Sequence, residues 1–197
     1  MPYYKGMFMC RKLNEISGLT ANQILSYFGN DSYPVDITKI LDNLQIMYGP
    51  MNFSPLEEQA RDLIKEHGRI LGAVTVLGDD IAILYSQGST ENRLRFTLAH
   101  ELAHCCLDAQ SLFDTGHIEF RFDEISDDIK EKTANTFAGE LLIPKNHLLK
   151  MYSQLVIPAS DIMAQEFKVS VPVMEARLKC LNLNFYSPNK LEKTGEF

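Results

Sequence analysis

The sequence predicts an α+β protein in which a small antiparallel sheet packs against helices. Three observations support this class. The first 50 residues and residues 54–68 carry helical patterns, residues 70–86 have the pattern of one β-hairpin, and the chain after residue 90 returns to helical patterns. A block of strands set between blocks of helices is typical of α+β proteins, in which helices cover an antiparallel sheet.

Two helices with N-terminal caps are predicted near the start of the chain. Thr20 can cap a helix over "LTANQILSYF", and Asp36 can cap a helix over "VDITKILDNLQI". Threonine and aspartate are favoured at this position because their side-chain oxygens accept a hydrogen bond from a free backbone N–H of the first turn. The second segment carries apolar residues at helical spacing, namely Ile37, Ile40, Leu41 and Leu44.

A third helix is predicted over "SPLEEQARDLIKEHG", which carries both a start and a stop signal. Ser54 is the candidate N-cap, Pro55 fits the first helical position, and Glu57 completes a capping box. Gly68 is the candidate end of this helix. The segment is therefore predicted to form one continuous helix.

The next elements are a hairpin and two longer helices. "RILGAVTVLGDDIAILYS" contains two β-branched, apolar runs, which predict strands over about residues 70–77 and 81–86. "STENRLRFTLAHELAHCCLDA" then predicts a helix with one buried side, and the polar stretch 114–128 predicts a loop. "DIKEKTANTFAGELLIP" predicts a second helix that Pro144 ends.

Two short helices, "SDIMAQEF" and "VPVMEARLKCLN", close the chain with helix-turn-helix-like spacing, and Ser170 is a candidate cap of the second. We interpret them as a C-terminal helical subdomain, residues 153–197, attached to a domain of residues 1–152. Arg177 and Lys179 are offset by Glu175, so direct DNA binding is not expected of this pair. Its apolar residues are predicted to be core, namely Met163, Phe167, Met174 and Leu178.

Composition narrows the class of protein further. The chain has 197 residues, of which 45% are hydrophobic, and its formal net charge of −7 disfavours nucleic acid as the main partner. No apolar run is long enough to span a membrane, and the first residues lack the apolar core of a signal peptide. The four cysteines form no CxxC pair. A cytoplasmic protein with no membrane contact is therefore expected.

One short stretch, "RFTLAHELAHCCLDAQ", carries candidate chemistry. His100 and His104 lie four residues apart, which is about one helical turn, so both imidazoles can reach one ion. Glu101 lies beside them and can act as a general base on a water molecule that a metal ion activates. The metzincin pattern, which needs a third histidine shortly afterwards, is excluded because no histidine stands at that position.

A catalytic zinc site needs a third protein ligand, and the sequence offers more than one. Glu131 opens the second long helix 27 residues after His104, and Glu140 is its rival on the same helix. His117 is a further candidate, in the polar stretch. Asn135, one turn after Glu131, can accept a hydrogen bond from a ligand imidazole and so fix its orientation.

Two motifs in the right order resemble the ImmA/IrrE family of bacterial metallopeptidases. That family shows R-F-T-x-A-H-E-x-x-H, present here as "RFTLAHELAH", and then E-x-x-A-N-x-F-A-x-x-L-L-x-P. The second motif is matched at Glu131, Ala134, Asn135, Phe137, Ala138, Leu141, Leu142 and Pro144. The two motifs span roughly residues 93–144.

The resemblance implies a zincin-like fold with a helical tail. It implies that His100, His104 and Glu131 hold Zn²⁺ and that Glu101 is the general base, which favours Glu131 over its rivals. It also implies a site-specific endopeptidase that cuts a helix-turn-helix repressor and so induces a mobile element or stress regulon. No side chain stands out for stabilising the oxyanion, for which His117 and His147 are the candidates.

Two other hypotheses remain open from the sequence. The chain could be a regulator without peptidase activity, in which structural zinc supports binding to the repressor. It could also be a DNA-binding regulator that uses the terminal helix pair, which the acidic composition disfavours.

Overall fold

The computed structural model describes residues 11–29, 33–77, 80–115, 119–122 and 128–188. Over these ranges the helices are α1 (Arg11–Ile16), α2 (Ala21–Phe28), α3 (Ile37–Asn43), α4 (Ser54–Gln59), α5 (Arg61–His67), α6 (Glu91–Leu107), α7 (Ala109–Thr115), α8 (Ile129–Leu142), α9 (Lys145–Gln154), α10 (Ser160–Phe167) and α11 (Val171–Cys180). The strands are β1 (Met47–Met51), β2 (Ile70–Leu77), β3 (Asp80–Ser86) and β4 (Glu119–Phe122). The predicted α+β class is confirmed.

The four strands form one sheet in the order β1-β3-β2-β4. β2 and β3 form the predicted antiparallel hairpin, and β4 pairs antiparallel with the other side of β2. β1 instead pairs parallel with β3, so this edge departs from the antiparallel pairing that the sequence predicted. β1 lies in a segment predicted to be helical, and β4 lies in the stretch predicted to be a loop.

The sheet separates a large core from a small one. On one face α6 packs against β2 and β3, and the buried side chains of this face join those of α1, α2, α3 and α8 in the main core. The other face carries a small cluster of Phe53, Ile70 and Ala73, which Leu56 and Ile64 from α4 and α5 cover. The long helix α6 is therefore held between the sheet and α8.

The two predicted N-terminal caps are confirmed. The Thr20 hydroxyl accepts a hydrogen bond from the Gln23 backbone N–H, and the Gln23 side chain accepts one from the Thr20 N–H at 2.9 Å. The Asp36 carboxylate accepts from the Lys39 N–H at 3.2 Å. These bonds satisfy backbone donors that a helix leaves free at its start.

The helix predicted over 54–67 is broken into α4 and α5 at Ala60, whose ψ of 39° departs from helical geometry. Ser54 is already helical, so it is not the cap, and Phe53 precedes the helix without a side-chain bond. The Glu57 carboxylate accepts from the Ile70 N–H at 2.9 Å instead of closing a capping box. Gly68 ends α5 as predicted, with a φ of 78° that glycine adopts without strain.

The tail contains the two predicted helices α10 and α11, preceded by α9, which the sequence did not predict. Ser170 takes the N-cap position of α11 but forms no side-chain cap bond. The apolar residues predicted to be core are fully buried, namely Met163, Phe167, Met174 and Leu178. They belong to the same main core as residues of α6 and α8. Helix α9 extends across residue 152, where the sequence predicted the boundary between two domains. That boundary stays a prediction.

A membrane span would need a long apolar helix. In the described part of the chain, none of the helices is both long enough and apolar enough to cross a membrane.

Candidate metal centre

Helix α6 places the two histidines inside the protein. Thr90 caps the helix by accepting a hydrogen bond from the Arg93 N–H at 3.4 Å. Residues 97–106 are all buried, because the sheet covers one side of α6 and α8 covers another. His100 and His104, one turn apart, therefore turn their rings toward α8 within a site that little water reaches.

Helix α8 brings Glu131 to these rings. Asp128 caps α8 by accepting from the Lys130 N–H at 2.9 Å, which places Glu131 in the first turn. The Glu131 carboxylate oxygens lie 3.2 Å from His100 Nε2 and 3.2 Å from His104 Nε2. The two Nε2 atoms lie 3.0 Å apart.

These separations fit a tetrahedral ion. Two donors that each lie about 2.1 Å from such an ion are about 3.4 Å from each other. One donor atom from each of His100, His104 and Glu131 lies within 4.8 Å of the other two. The three residues could therefore hold a metal ion, and their two imidazoles and one carboxylate are a donor set that zinc accepts.

The outer nitrogen of each imidazole also has an oxygen partner. His100 Nδ1 donates to Asn135 Oδ1 at 3.0 Å, and His104 Nδ1 donates to Asp108 Oδ2 at 3.0 Å. Lys130 from α8 lies 3.5 Å from the other Asp108 oxygen. With each Nδ1 occupied as a donor, both Nε2 atoms face the space between α6 and α8, where they can bind a metal ion once they hold no proton.

Burial and hydrogen bonds shift the three protonation equilibria in different directions. Burial lowers the pKa of His100 to about 4. Burial opposes the charged form of His104 too, but the bond with Glu131, the charge of Glu101 and the bond with Asp108 raise its pKa to about 9. The bonds from His100 and His104 hold the pKa of Glu131 well below its usual range. Near neutral pH the group therefore carries one proton that a metal ion must displace, on His104.

Glu101 lies against the sheet, next to the two histidines. Its side chain is buried at 1% exposure. Gly72 in β2 makes this possible, because a Cβ on that residue would lie 2.8 Å from Glu101 Oε1 and 2.6 Å from the Thr97 methyl carbon. A strand without a side chain at this point leaves room for the carboxylate.

Arg121 from β4 places a positive charge near the same site. Its guanidinium lies 5.2 Å from the centre of the Phe96 ring, and Nη1 donates to the Thr97 hydroxyl at 3.1 Å. Its charge contributes to the lowered pKa of His100. The edge strand β4, which was predicted to be loop, thus supplies a cation to the surroundings of the site.

The other residues considered as a metal ligand or as an oxyanion-stabilising group have different surroundings. Glu140 lies nine residues beyond Glu131, which is about 13 Å along the helix, and forms an ion pair with Arg177 at 3.0 Å. His147 stacks on the ring of Tyr33, with 4.9 Å between centroids. His117, a candidate for both roles, lies outside the described residues.

Sequence reasoning missed Asp108 and Gly72 as parts of the site. Asp108 follows His104 by four residues and so continues the same helical face, a signal that was available. Gly72 had no such signal, because its role depends on the approach of β2 to α6. The predicted ligands, base and orienting residue, by contrast, are brought together by the fold, namely His100, His104, Glu131, Glu101 and Asn135.

The comparison with known families agrees with this geometry. No curated protein matches the chain. Residues 59–179, more than half of the chain, match the model of the Peptidase M78 family, which describes an IrrE N-terminal-like domain. The match includes α6 and α8, and these helices carry the predicted ligands, base and orienting residue. The chain therefore belongs to the Peptidase M78 family of metallopeptidases.

Proposed function

We propose that the chain is a zinc-dependent endopeptidase with His100, His104 and Glu131 as its zinc ligands. The observation that carries this proposal is the convergence of three donor atoms within 4.8 Å, from helices α6 and α8. Two imidazoles and one carboxylate are a ligand set of catalytic zinc sites, in which the fourth position stays open to water or substrate.

The residues of the chain would divide the reaction between them. When bound, zinc supplies a Lewis acid that polarises the peptide carbonyl and lowers the pKa of water. Glu101 takes a proton from the attacking water and passes it to the leaving amine. Asn135 and Asp108 hold the Nδ1–H groups of His100 and His104, which fixes the orientation of both rings.

The proposed substrate is a cognate helix-turn-helix repressor in the cytoplasm, whose cleavage derepresses a mobile element or stress regulon. Two features support it: the resemblance of "RFTLAHELAH" and "EKTANTFAGELLIP" to the ImmA/IrrE motifs, and membership of the Peptidase M78 family. Direct DNA binding is disfavoured, because Arg177, one of the two basic residues offered by α11, is only 8% exposed and bonded within the protein.

The test is the variant Glu101→Gln, compared with Glu91→Gln as a matched control. Both lie on α6, but Glu91 is exposed and pairs with Lys168. We expect Glu101→Gln to bind zinc as the unchanged protein does and to cut a cognate repressor at least about 100-fold more slowly. Glu91→Gln should cut at the unchanged rate.

Two outcomes would contradict the proposal. Undiminished cleavage by Glu101→Gln would exclude the assigned base. No cleavage by the zinc-loaded unchanged protein, together with full induction in cells that carry Glu101→Gln, would favour a zinc-containing regulator without peptidase activity.

A further inference from the structure

A surface cavity of about 340 Å³ lies beside the metal centre, between α8, α11 and the start of α6. Phe96 from α6 and Gly139 from α8 form part of its wall. Helix α11 contributes Val173, Ala176 and Cys180, whose spacing of three and four residues places them on one face. Residues of the tail helix α11 therefore form one side of the cavity wall, and α6 and α8 contribute to the rest.

The cavity adjoins the candidate metal centre on the side of His100. Asn135 lines it and also accepts the hydrogen bond of His100. Phe96, another wall residue, has its ring centre 6.4 Å from that of His100. On α8 the residues Glu131, Asn135 and Gly139 follow at four-residue spacing, so the cavity lies along the same face of α8, beyond the proposed ligand.

The lining selects an apolar occupant. Phe96, Pro172, Val173 and Ala176 present carbon surfaces to the cavity. Both guanidiniums in its wall are already engaged within the protein. Arg121 stacks on Phe96 and donates to Thr97, while Arg177 donates to Glu140 and to the Ile143 carbonyl. The Glu140 carboxylate thus balances the charge of Arg177, while Arg121 lies against the Phe96 ring.

We propose that this cavity binds an apolar side chain, of leucine or phenylalanine size, from the substrate residue next to the bond that is cut. The inference rests on the proposed peptidase function. A volume near 340 Å³ is at the low end for ligand pockets, so the cavity has room for one large side chain but not for a folded partner. The tail helix α11 is then a specificity element of the peptidase.

Gly139 offers a direct way to fill the cavity. A Cβ on this glycine would have no atom within 4 Å, so a larger side chain enters open space. We choose Gly139→Leu as the test variant, Gly139→Ala as a milder one and Thr133→Leu as the matched control. Thr133 is exposed on a different face of α8 and does not line the cavity.

The first measurement is cleavage of a mixed peptide library by the zinc-loaded protein, with cut sites identified by mass spectrometry. We expect large apolar residues at one position beside the cut, favoured over alanine at least about tenfold. Gly139→Leu should abolish this preference and Gly139→Ala should reduce it, while Thr133→Leu should keep it. Thermal unfolding followed by circular dichroism checks that each variant is folded.

The second measurement does not depend on cleavage. In a Cys10→Ser background, alkylation of the exposed Cys180 reports occupancy of the cavity, because Cys105 and Cys106 are buried. N-acetyl-leucinamide should slow alkylation several-fold, N-acetylglycinamide should leave the rate unchanged, and Gly139→Leu should remove the difference.

The outcomes separate the two proposals. A protein that cuts no peptide but shows leucinamide protection contradicts the peptidase function and keeps the apolar cavity. Cleavage without an apolar preference, or a preference that survives in a folded Gly139→Leu variant, overturns the cavity assignment and leaves the peptidase function standing. Equal alkylation rates with both amides also overturn it.

Discussion

Gly72 is a residue whose missing side chain shapes the site. A methyl group there would lie within 2.8 Å of Glu101 Oε1, so Gly72→Ala must displace the proposed base. Because a displacement of about 1 Å in a reacting group can cost about 100-fold in rate, we expect peptidase activity to fall by roughly that factor. Zinc content should stay unchanged, since the proposed ligands lie on α6 and α8. Initial cleavage rates and metal analysis measure both.

The control for this prediction is Gly49→Ala, also a strand glycine. A Cβ on Gly49 would meet no atom within 4 Å, so activity and stability should both be preserved. Full activity of Gly72→Ala would show that Glu101 does not need its present position.

At the residue scale, spacing along the chain predicted the pair of histidines, whereas Glu131 was favoured over its rivals only by the family resemblance. His100 and His104 follow from their four-residue separation, and the role of Asn135 follows from its place one turn beyond Glu131. The contact between Gly72 and Glu101 could not be predicted in this way. It joins a strand and a helix whose relative position depends on packing across the whole sheet.

Element-scale predictions succeeded for most segments with strong local signals, although the helix predicted over 54–67 is broken at Ala60. The hairpin, α6, α8, α10 and α11 each carry periodic apolar residues or a definite boundary signal. β1 carries Gly49 and Pro50 and becomes a strand through parallel pairing with β3, about 35 residues further on. Proline is tolerated there because β1 is an edge strand. β4 spans only four residues in a polar segment, too short for a clear alternation.

Helix α11 is fixed to α8 through Arg177, and the strength of this link can be measured. Nη1 of Arg177 lies 3.0 Å from Glu140 Oε1, and Nε donates to the Ile143 carbonyl. In Arg177→Met these acceptors lose their buried donor, so we expect the free energy of unfolding to fall by about 1–3 kcal/mol. Urea denaturation provides the measurement.

Lys179 on the same helix is exposed and serves as the comparison. Lys179→Met should change stability by less than about 0.5 kcal/mol. If Arg177→Met kept full stability and instead abolished binding to a defined DNA site, α11 would be a DNA-reading helix and its assignment as a packing element would be wrong.

For the whole molecule, a bound metal would link two helices that are distant in the chain. His104 and Glu131 are 27 residues apart, so an ion between them closes a long loop of the folded state. Zinc at about 100 times its dissociation constant should add about 2.7 kcal/mol and raise Tm by roughly 5–10 °C. Calorimetry with zinc and with a chelator measures the shift, which Glu131→Gln should largely remove.

This stabilisation should depend on pH in a definite direction. His104, with a pKa raised to about 9, is protonated at neutral pH, whereas His100 and Glu131 have lowered pKa values and hold no proton there. Zinc therefore displaces one proton, and its apparent affinity should rise about tenfold for each pH unit from 6 to 8. In the metal-free protein the same proton stabilises the fold, and this stabilisation is lost as the pH rises through about 9. Zinc titrations with a competing chelator that show no pH dependence would contradict this assignment.

The ten successive buried residues 97–106 of α6 have a consequence for a chain that hydrolyses proteins. A peptidase must thread its target in extended form, and a helix enclosed by a sheet and a second helix cannot be presented that way to another copy. Exposing it requires opening the main core, so self-digestion of this helix is limited by the rate of global unfolding. The segment that carries the proposed base and two proposed ligands is thus protected against the activity proposed for it.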